Sequence, residues 1–212
     1  MADHEILVRE LKPKLVADYL GFFNDLYDND SFLRFKDNPW WGGCYCSFYD
    51  DRRTEDEINA SRDKRSENRA AREKTIEEGK ASGLLAYTKA GGKVVGWCNV
   101  APRGSYVNPR YLKQAIVDPS ERVGSITCFV VSSEHRKSGV APKLLQSACD
   151  LIKRWGLPVA EGYPRNPELS GDNPYKIPQD NLSFRGSLNM FLHSGFRVHM
   201  KLERFTVVRR AL

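Results

Sequence analysis

Apolar residues recur along the chain with two spacings, one typical of helices and one typical of strands. Spacings of three and four positions predict an amphipathic helix over 13–26, a second over 140–155 and a shorter one at about 183–194. Compact apolar runs and strict alternation predict strands instead. These strands are expected at 5–9, in the two apolar runs of 83–103, at 123–131, at 157–164 and at 196–202, with FTVVRR as the continuation of the last one.

The predicted elements follow one another as strand, helices, three strands, helix, strand, helix and strand. This mixed order is typical of an α/β (α+β) domain, in which helices pack on the faces of one central sheet. A length of 212 residues is sufficient for one hydrophobic core, and neither an internal repeat nor a low-complexity tract divides the chain. We therefore expect a single domain over residues 1–212.

The balance of charged residues permits an anionic partner but does not indicate a nucleic-acid-binding surface. The 33 basic and 27 acidic residues give a formal net charge of +6. Charge is densest at about 52–80, where both signs recur at helical spacing and nearly cancel. This segment is predicted to form a solvated surface helix with ion pairs along it, rather than a basic arm. Nucleic acid is consequently not expected as a partner.

Features of membrane insertion, export and metal binding are missing from the sequence. No apolar run approaches the ~18 residues of a membrane span. The segment MADHEILVRELKPK lacks the apolar core of a signal peptide, so we expect a cytoplasmic protein with reduced thiols. Cys44 and Cys46 lie close together, but no second Cys/His pair with ligand spacing follows, and no metal site is predicted.

The segment FVVSSEHRKSGVAPKLL, residues 129–145, carries the clearest chemical signal. A buried strand leads into a short basic loop, and the loop opens an apolar helix. Backbone N–H groups at a helix start are unsatisfied and favour anions, Gly139 leaves room beside them, and Arg136 and Lys137 add positive charge. Neither a Walker loop nor a GxGxxG fingerprint is present. The segment is therefore either a phosphate cradle or an ordinary strand-to-helix joint.

Arg136-Lys137-Ser138-Gly139-Val140-Ala141 resembles the Arg/Gln-x-x-Gly-x-Gly/Ala element of the GNAT superfamily of acetyl-CoA-dependent N-acetyltransferases. It lies between a strand and a helix, where that superfamily has it. Phe191–Phe196 resembles the helix-to-strand signature that ends the fold, and Gly96-Trp97 resembles the strand preceding the cofactor strand. The resemblance extends from about residue 5 to 204. GLLAY, VGWCNVAPR, ITCFVV, AEGYP and FRGSLNMFLHSGF are similar to a bacterial branch of the superfamily.

The resemblance implies a mixed sheet of about six or seven strands that is splayed at the cofactor strand. It also implies acetyl-CoA as the cofactor, with the pantetheine arm along the exposed edge of that strand and the pyrophosphate on amides from about Lys137 to Ala141. The implied cofactor-binding residues are Phe129, Val130, Val131, Arg136, Lys137, Ser138, Gly139, Val140 and Ala141.

The resemblance further implies direct attack of an amine on the thioester, without an acyl-enzyme. Glu161 lies in an otherwise apolar stretch and is the candidate base or ammonium-binding group, or else a peripheral carboxylate at a strand end. Many members of the family carry a tyrosine that acts as the general acid at the position where this chain has Phe191. Tyr163 is therefore named as a second catalytic candidate, although Tyr175, water or an unassisted thiolate are alternatives to it.

Residues on the acceptor side are less clearly marked. Arg103 and Tyr106 follow a strand directly and are candidate substrate-lining residues. Four aromatic residues form either a wall for a small acceptor or a loop that caps the core. These are Trp40, Trp41, Tyr45 and Phe48.

Three functions are compatible with these patterns. The leading one is acetyl transfer from acetyl-CoA to a primary amine of a small molecule, by a monomer or homodimer. The alternative is a non-enzymatic module that binds acyl-CoA, which Phe191 favours because phenylalanine has no proton to donate. Acetylation of a protein or RNA-associated substrate rests on the net charge of +6 alone and ranks last.

Overall fold

The computed structural model of the chain describes residues 5–30, 43–49, 51, 53–54, 56–57, 64–89, 92–107, 112–166 and 184–212. The helices in this part of the chain are α1 Val16–Asn29, α2 Lys64–Glu77, α3 Val140–Arg154 and α4 Leu188–His193. The strands are β1 Ile6–Glu10, β2 Leu84–Thr88, β3 Val94–Pro102, β4 Val123–Val131, β5 Val159–Gly162, β6 Arg197–Lys201 and β7 Thr206–Ala211.

All seven strands belong to one sheet, in the order β1-β2-β3-β4-β5-β7-β6. Neighbouring strands are antiparallel except β4 and β5, which are parallel and are connected through α3. This is the mixed α/β architecture that the sequence predicts, with seven strands. β4 and β5 are therefore central, and each of them has a strand on either side.

Helices cover both faces of this sheet. The largest apolar cluster joins α3 to one face, and its buried helical members are Val140, Leu144, Leu145, Ala148, Cys149, Leu151 and Ile152. The opposite face packs against α1, where Tyr19 meets Trp97 of β3 edge-on with ring centroids 4.8 Å apart. The apolar residues that recur at helical spacing in α1 and α3 are thus buried against the sheet, as the sequence predicts. None of the helices in the described part of the chain combines the length and the apolar character that a membrane crossing requires.

Helix α2 is less solvated than its composition suggests. Ion pairs such as Arg69–Glu73, with an N–O distance of 3.0 Å, lie along it as expected. Arg72 and Ile76, however, are buried, and Arg72 Nε donates to the Tyr19 hydroxyl at 3.2 Å. The helix thus lies on the surface but buries one side, because the long aliphatic stem of arginine packs into a core while its head group contacts polar and aromatic partners.

The C-terminal elements also differ from the prediction. FTVVRR is not a continuation of β6 but a separate strand, β7, which lies between β5 and β6. β6 is consequently the edge of the sheet, and Val198 is 54% exposed although the alternation predicts a buried apolar face. Helix α4 has six residues and is shorter than the predicted segment.

Candidate functional site

The sheet opens between its two parallel strands. β4 pairs with β3 from Gly124 to Val131, but it pairs with β5 only over Val123–Ile126. Beyond Ile126, β4 has no strand on its β5 side among the described residues. The backbone groups on this side are free to bind an extended ligand in the manner of an added strand.

Phe191 of α4 packs where the two strands separate. A Cβ atom on Gly162, the last residue of β5, would lie 2.3 Å from Cε1 of Phe191, so the ring rests directly on the β5 backbone. The same ring meets Phe129 of β4, with centroids 6.1 Å apart, and Phe196 at 5.0 Å. Phe191 therefore lies at the splay and is fully buried.

The opening coincides with a β-bulge in β4. Asn99 of β3 lies opposite Cys128, whereas the next residue, Val100, lies opposite Ile126. Thr127 is therefore an extra residue on β4. A bulge of this kind bends the strand and increases its local twist, and it lies at the point where β4 leaves β5.

The turn after β4 leads directly into the start of α3. Residues 133–135 form one 3₁₀ turn, and α3 begins at Val140 with Gly139 at its N-cap in the left-handed region (φ +85°). The N-cap residue makes no side-chain hydrogen bond to the first amides of α3, and within the described part of the chain a Cβ on Gly139 would meet nothing within 4 Å. The N–H groups of the first helical turn thus face open space, as an anion site requires.

The position of this turn is fixed from α1. Asp30, directly after α1, accepts hydrogen bonds from the backbone N–H of Ser133 at 3.0 Å and from the Ser133 hydroxyl. The Ser138 hydroxyl donates to the carbonyl of His135 at 2.6 Å, which closes the loop before the helix. These hydrogen bonds fix the turn between the free edge of β4 and the start of α3. The two elements therefore present their backbone donors and acceptors side by side.

Glu161 and Tyr163, the predicted catalytic residues, lie together but inside the protein. The Tyr163 hydroxyl donates to Oε1 of Glu161 at 2.5 Å and accepts from the Ser125 hydroxyl at 2.6 Å. Arg209 Nε donates to Oε2 of Glu161 at 2.6 Å, and Arg103 Nη1 lies 3.4 Å from Oε1. Glu161 is 0% exposed. The carboxylate is thus neutralised by two guanidinium groups and is engaged at both oxygens.

The surroundings of Tyr163 also disfavour proton donation. Burial, followed by the negative charge of Glu161, raises the pKa of Tyr163 well above its ordinary value. A phenol with a raised pKa retains its proton and serves as a hydrogen-bond donor. Glu161 and Tyr163 thus form a buried, hydrogen-bonded pair, and neither side chain is exposed.

Arg103 and Tyr106 do not line an open surface, contrary to the expectation that they contact the acceptor. Arg103 is buried and donates to the Asp118 carbonyl at 2.8 Å and to Oε2 of Glu121 at 3.2 Å. The Tyr106 hydroxyl is also buried and donates to Oδ1 of Asn99 at 2.7 Å. Arg103 begins a 3₁₀ turn directly after β3, and Tyr106 follows that turn.

Glu121, which is partly exposed, completes the ion network around Glu161 and was not predicted. It accepts from Nη1 of Arg209 at 2.9 Å and from Nη2 at 2.7 Å. The hydrogen bond from Arg209 lowers the pKa of Glu121 to about 2. The network joins the turn after β3, strands β5 and β7 and the loop before β4, at the end of the sheet where β4 and β5 still pair.

Two of the four aromatic residues proposed as an acceptor wall or a cap on the core, Tyr45 and Phe48, lie in the described part of the chain, and Tyr45 belongs to a buried core cluster. Tyr45 is buried, its carbonyl accepts from the Tyr19 hydroxyl at 2.5 Å, and its own hydroxyl donates to Asn24 at 2.6 Å. Phe48 is half-buried, and Trp40 and Trp41 lie outside the described residues. Tyr45 lines a polar cleft of about 240 Å³ between α1 and α2. The remaining lining residues of this cleft are Asn24, Asp28, Arg65, Ser66 and Arg69.

Cys44 and Cys128 both have raised pKa values. Burial raises the pKa of Cys44 to about 11, and a hydrogen bond with Cys46 together with burial raises the pKa of Cys128 well above its ordinary value. Protonated thiols are poor nucleophiles and poor metal ligands. Within the described ranges, no group of three or more His, Cys, Asp or Glu side chains is arranged to hold a metal ion.

Comparison with known families gives one match. The sequence profile of the acetyltransferase (GNAT) family matches residues 25–163, well over half of the chain. This range contains the splay, the bulge and the start of α3. No curated protein matches the sequence.

Solved structures share the fold at low sequence identity. An acetyltransferase of the GNAT family from Listeria monocytogenes is 17% identical, with a TM-score of 0.56 over 100% of this chain and 97% of that chain. A GCN5-related N-acetyltransferase from Kribbella flavida is 17% identical, with a TM-score of 0.51 over 98% of each chain. The paiA N-acetyltransferase from Thermoplasma acidophilum, solved in complex with coenzyme A, is 11% identical, with a TM-score of 0.51 over 98% of this chain and 99% of that chain. At these identities the similarity establishes the fold.

Proposed function

Since the chain belongs to the GNAT acetyltransferase family, in which acetyl-CoA is the acyl donor, we propose that it acetylates a primary amine of a small molecule. One observation carries this proposal. The free edge of β4 is followed, after one short loop, by the first turn of α3, whose N-cap residue makes no side-chain hydrogen bond. An extended chain that ends in a phosphate fits this surface, because the strand edge offers backbone hydrogen bonds and the helix start favours an anion. Pantetheine and pyrophosphate are such a pair of groups.

The cofactor-binding residues follow from this fit. Phe129, Val130 and Val131 supply the backbone edge, and amides from Lys137 to Ala141 hold the pyrophosphate with Arg136 and Lys137 adding charge. Lys137 is itself left-handed (φ +61°), as is Gly139. Two left-handed residues in one short loop turn successive N–H groups toward a common point, which is the geometry of a phosphate-binding nest.

The bound cofactor supplies an activated thioester. In the proposed reaction the amine nitrogen attacks the carbonyl carbon, the C–S bond breaks, and coenzyme A leaves as its thiolate. We assign Glu161 and Tyr163 to holding β5 and β7 against β4 at the base of the splay, because both side chains are engaged and buried. Arg103 contributes to the same structural role through its contact with Glu161. The proton of the attacking amine passes to solvent.

The remaining features of the proposal follow from the architecture. A single sheet spans β1 to β7, which supports one domain over residues 1–212 with a charged helix, α2, on its surface. We propose a small-molecule acceptor, a monomer or homodimer, a cytoplasmic location and no nucleic-acid partner. The cleft beside Tyr45 is the candidate acceptor entrance, because α1 also contacts the turn that leads to the start of α3.

One observation favours a second function, the binding of acyl-CoA without turnover. Phe191 is buried at the splay, where the family commonly has a tyrosine, and it has no hydroxyl group with which to protonate a thiolate. A module of this kind binds the cofactor through the same β4 edge but releases no thiol. The two functions differ in a single measurable product.

Release of free thiol from acetyl-CoA across a panel of small primary amines tests the proposed function. We expect release that depends on both acetyl-CoA and one class of amine, with the acetylated amine detected by mass spectrometry. Tight binding of acetyl-CoA without amine-dependent release over a broad panel would instead support the binding module. Absence of any saturable acetyl-CoA binding would contradict both functions.

A further inference from the structure

A buried hydrogen-bond network surrounds the bulge in β4 and takes no part in the proposed chemistry. Thr127, the extra residue of the bulge, donates its hydroxyl hydrogen bond to Oδ1 of Asn99 at 3.1 Å. The Tyr106 hydroxyl donates to the same oxygen at 2.7 Å and lies 3.3 Å from the Thr127 hydroxyl. All three side chains are buried. Polar groups placed inside an otherwise apolar strand pair are costly unless they are paired, and these are paired with one another.

The same asparagine holds a strained turn against β4. Tyr45 and Cys46 both have φ of +44°, in the left-handed region that non-glycine residues rarely adopt. Ser47 closes the turn through its N–H and its hydroxyl, which donate to the Cys44 carbonyl at 2.9 and 2.8 Å. Asn99 Nδ2 donates to the Cys46 carbonyl at 3.4 Å. Strained backbone of this kind persists only where its surroundings over-determine it, and it concentrates at functional sites.

Asn99 therefore connects two unusual backbone features at the cofactor strand. Its carbonyl oxygen holds the bulge through Thr127, and its amide nitrogen holds the left-handed turn. Tyr106 supports this orientation of the amide, because its hydroxyl donates to Oδ1 of Asn99 at 2.7 Å and lies farther, at 3.3 Å, from the Ser125 carbonyl.

We propose that Asn99, Thr127 and Tyr106 are positioning residues that lock the bulge and so set the geometry of the acetyl-CoA-binding edge. This inference rests on the proposed use of the β4 edge by the cofactor. A bulge without its lock can relax toward regular pairing, which would redirect the backbone groups of residues 128–131. The edge would then bind an extended ligand less well although the fold remains.

Two matched threonine substitutions separate this role from a purely structural one. Thr127→Val removes the bulge hydroxyl. Thr206→Val is the control, because Thr206 is also buried and donates to an asparagine oxygen, Oδ1 of Asn166, at 2.7 Å. Thr206 begins β7, which is separated from β4 by β5. Both variants lose one buried hydrogen bond of the same chemistry, so comparable reductions in Tm are expected.

Calorimetric titration with acetyl-CoA gives the decisive readout. Thr127→Val is expected to raise the dissociation constant for acetyl-CoA about tenfold, while Thr206→Val leaves it within twofold of the wild-type value. Tyr106→Phe keeps the ring and removes one donor, so an approximately threefold loss is expected even if Thr127→Val is poorly folded. Equal affinities for the wild type, Thr127→Val and Tyr106→Phe would overturn the positioning role while leaving the proposed function intact. Failure of the wild type itself to bind acetyl-CoA would overturn both.

Discussion

Replacing Glu161 by glutamine is expected to lower the free energy of unfolding by about 3–5 kcal/mol, which is the usual cost of breaking a buried ion pair. The carboxylate lies between Arg209 and Arg103 and accepts from Tyr163. The variant removes the fully buried carboxylate of the network and leaves both guanidinium groups with Glu121, which is partly exposed, as a carboxylate partner. Glutamine has nearly the same size, which makes loss of charge the dominant change. Urea unfolding followed by circular dichroism measures the effect.

Glu78→Gln is the matched control for this substitution. Glu78 pairs with Lys80 at 2.7 Å on the surface, where an ion pair contributes about 0–1 kcal/mol.

Turnover per folded molecule distinguishes a structural role of Glu161 from the role of a catalytic base. At a temperature where Glu161→Gln is folded, kcat is expected to stay within about tenfold of the wild type. A loss of kcat beyond about a hundredfold with little loss of stability would contradict the structural role of Glu161. It would instead support the role of catalytic base that the sequence suggests.

Elements whose patterns are strong and local were predictable. The β-branched run at 123–131 is β4 to the residue, and the apolar stripe of 140–155 is α3 with one residue fewer. The start of α3 was predictable for the same reason, because a strand, a basic loop with one glycine and an apolar helix are contiguous in the sequence. The family match and the cofactor follow from this segment.

Side-chain burial was not predictable in the same way. Arg103, Glu161 and Arg209 lie far apart in the sequence, and their network arises only because β3, β5 and β7 share one end of the sheet. The edge position of β6 likewise depends on a long-range pairing between β7 and β5. The sequence does carry one signal of the buried network around the bulge. Asn99 and Thr127 are polar residues inside otherwise apolar strands, and such residues need buried partners.

Replacing Gly139 by valine is expected to weaken acetyl-CoA binding by about a hundredfold, or ~2.7 kcal/mol. A Cβ at this position would meet no atom of the described residues within 4 Å, so the new side chain would project into the space where the pyrophosphate is proposed to lie. Loss of one or two charge-assisted hydrogen bonds accounts for an effect of this size. The left-handed φ of +85° adds a backbone strain of about 1–2 kcal/mol to the folded state.

Gly79→Val separates this strain from cofactor exclusion. Gly79 follows α2 and has a φ of +68°, and a Cβ added to it would also meet nothing within 4 Å. Both variants should therefore lose comparable stability in thermal unfolding, whereas only Gly139→Val should lose affinity in calorimetric titration. Wild-type affinity in Gly139→Val would place the cofactor phosphates elsewhere.

Backbone hydrogen–deuterium exchange, measured with and without saturating acetyl-CoA, tests most directly whether the cofactor occupies the splay. Slower exchange is expected in two segments, the free edge of β4 at 127–131 and the start of α3 at 137–141, because their N–H groups acquire hydrogen-bond partners. The edge strand β6, Arg197–Lys201, serves as an internal reference and should exchange at an unchanged rate. Unchanged exchange in both segments at saturation, or protection confined to other elements, would contradict the assignment of this surface to acetyl-CoA.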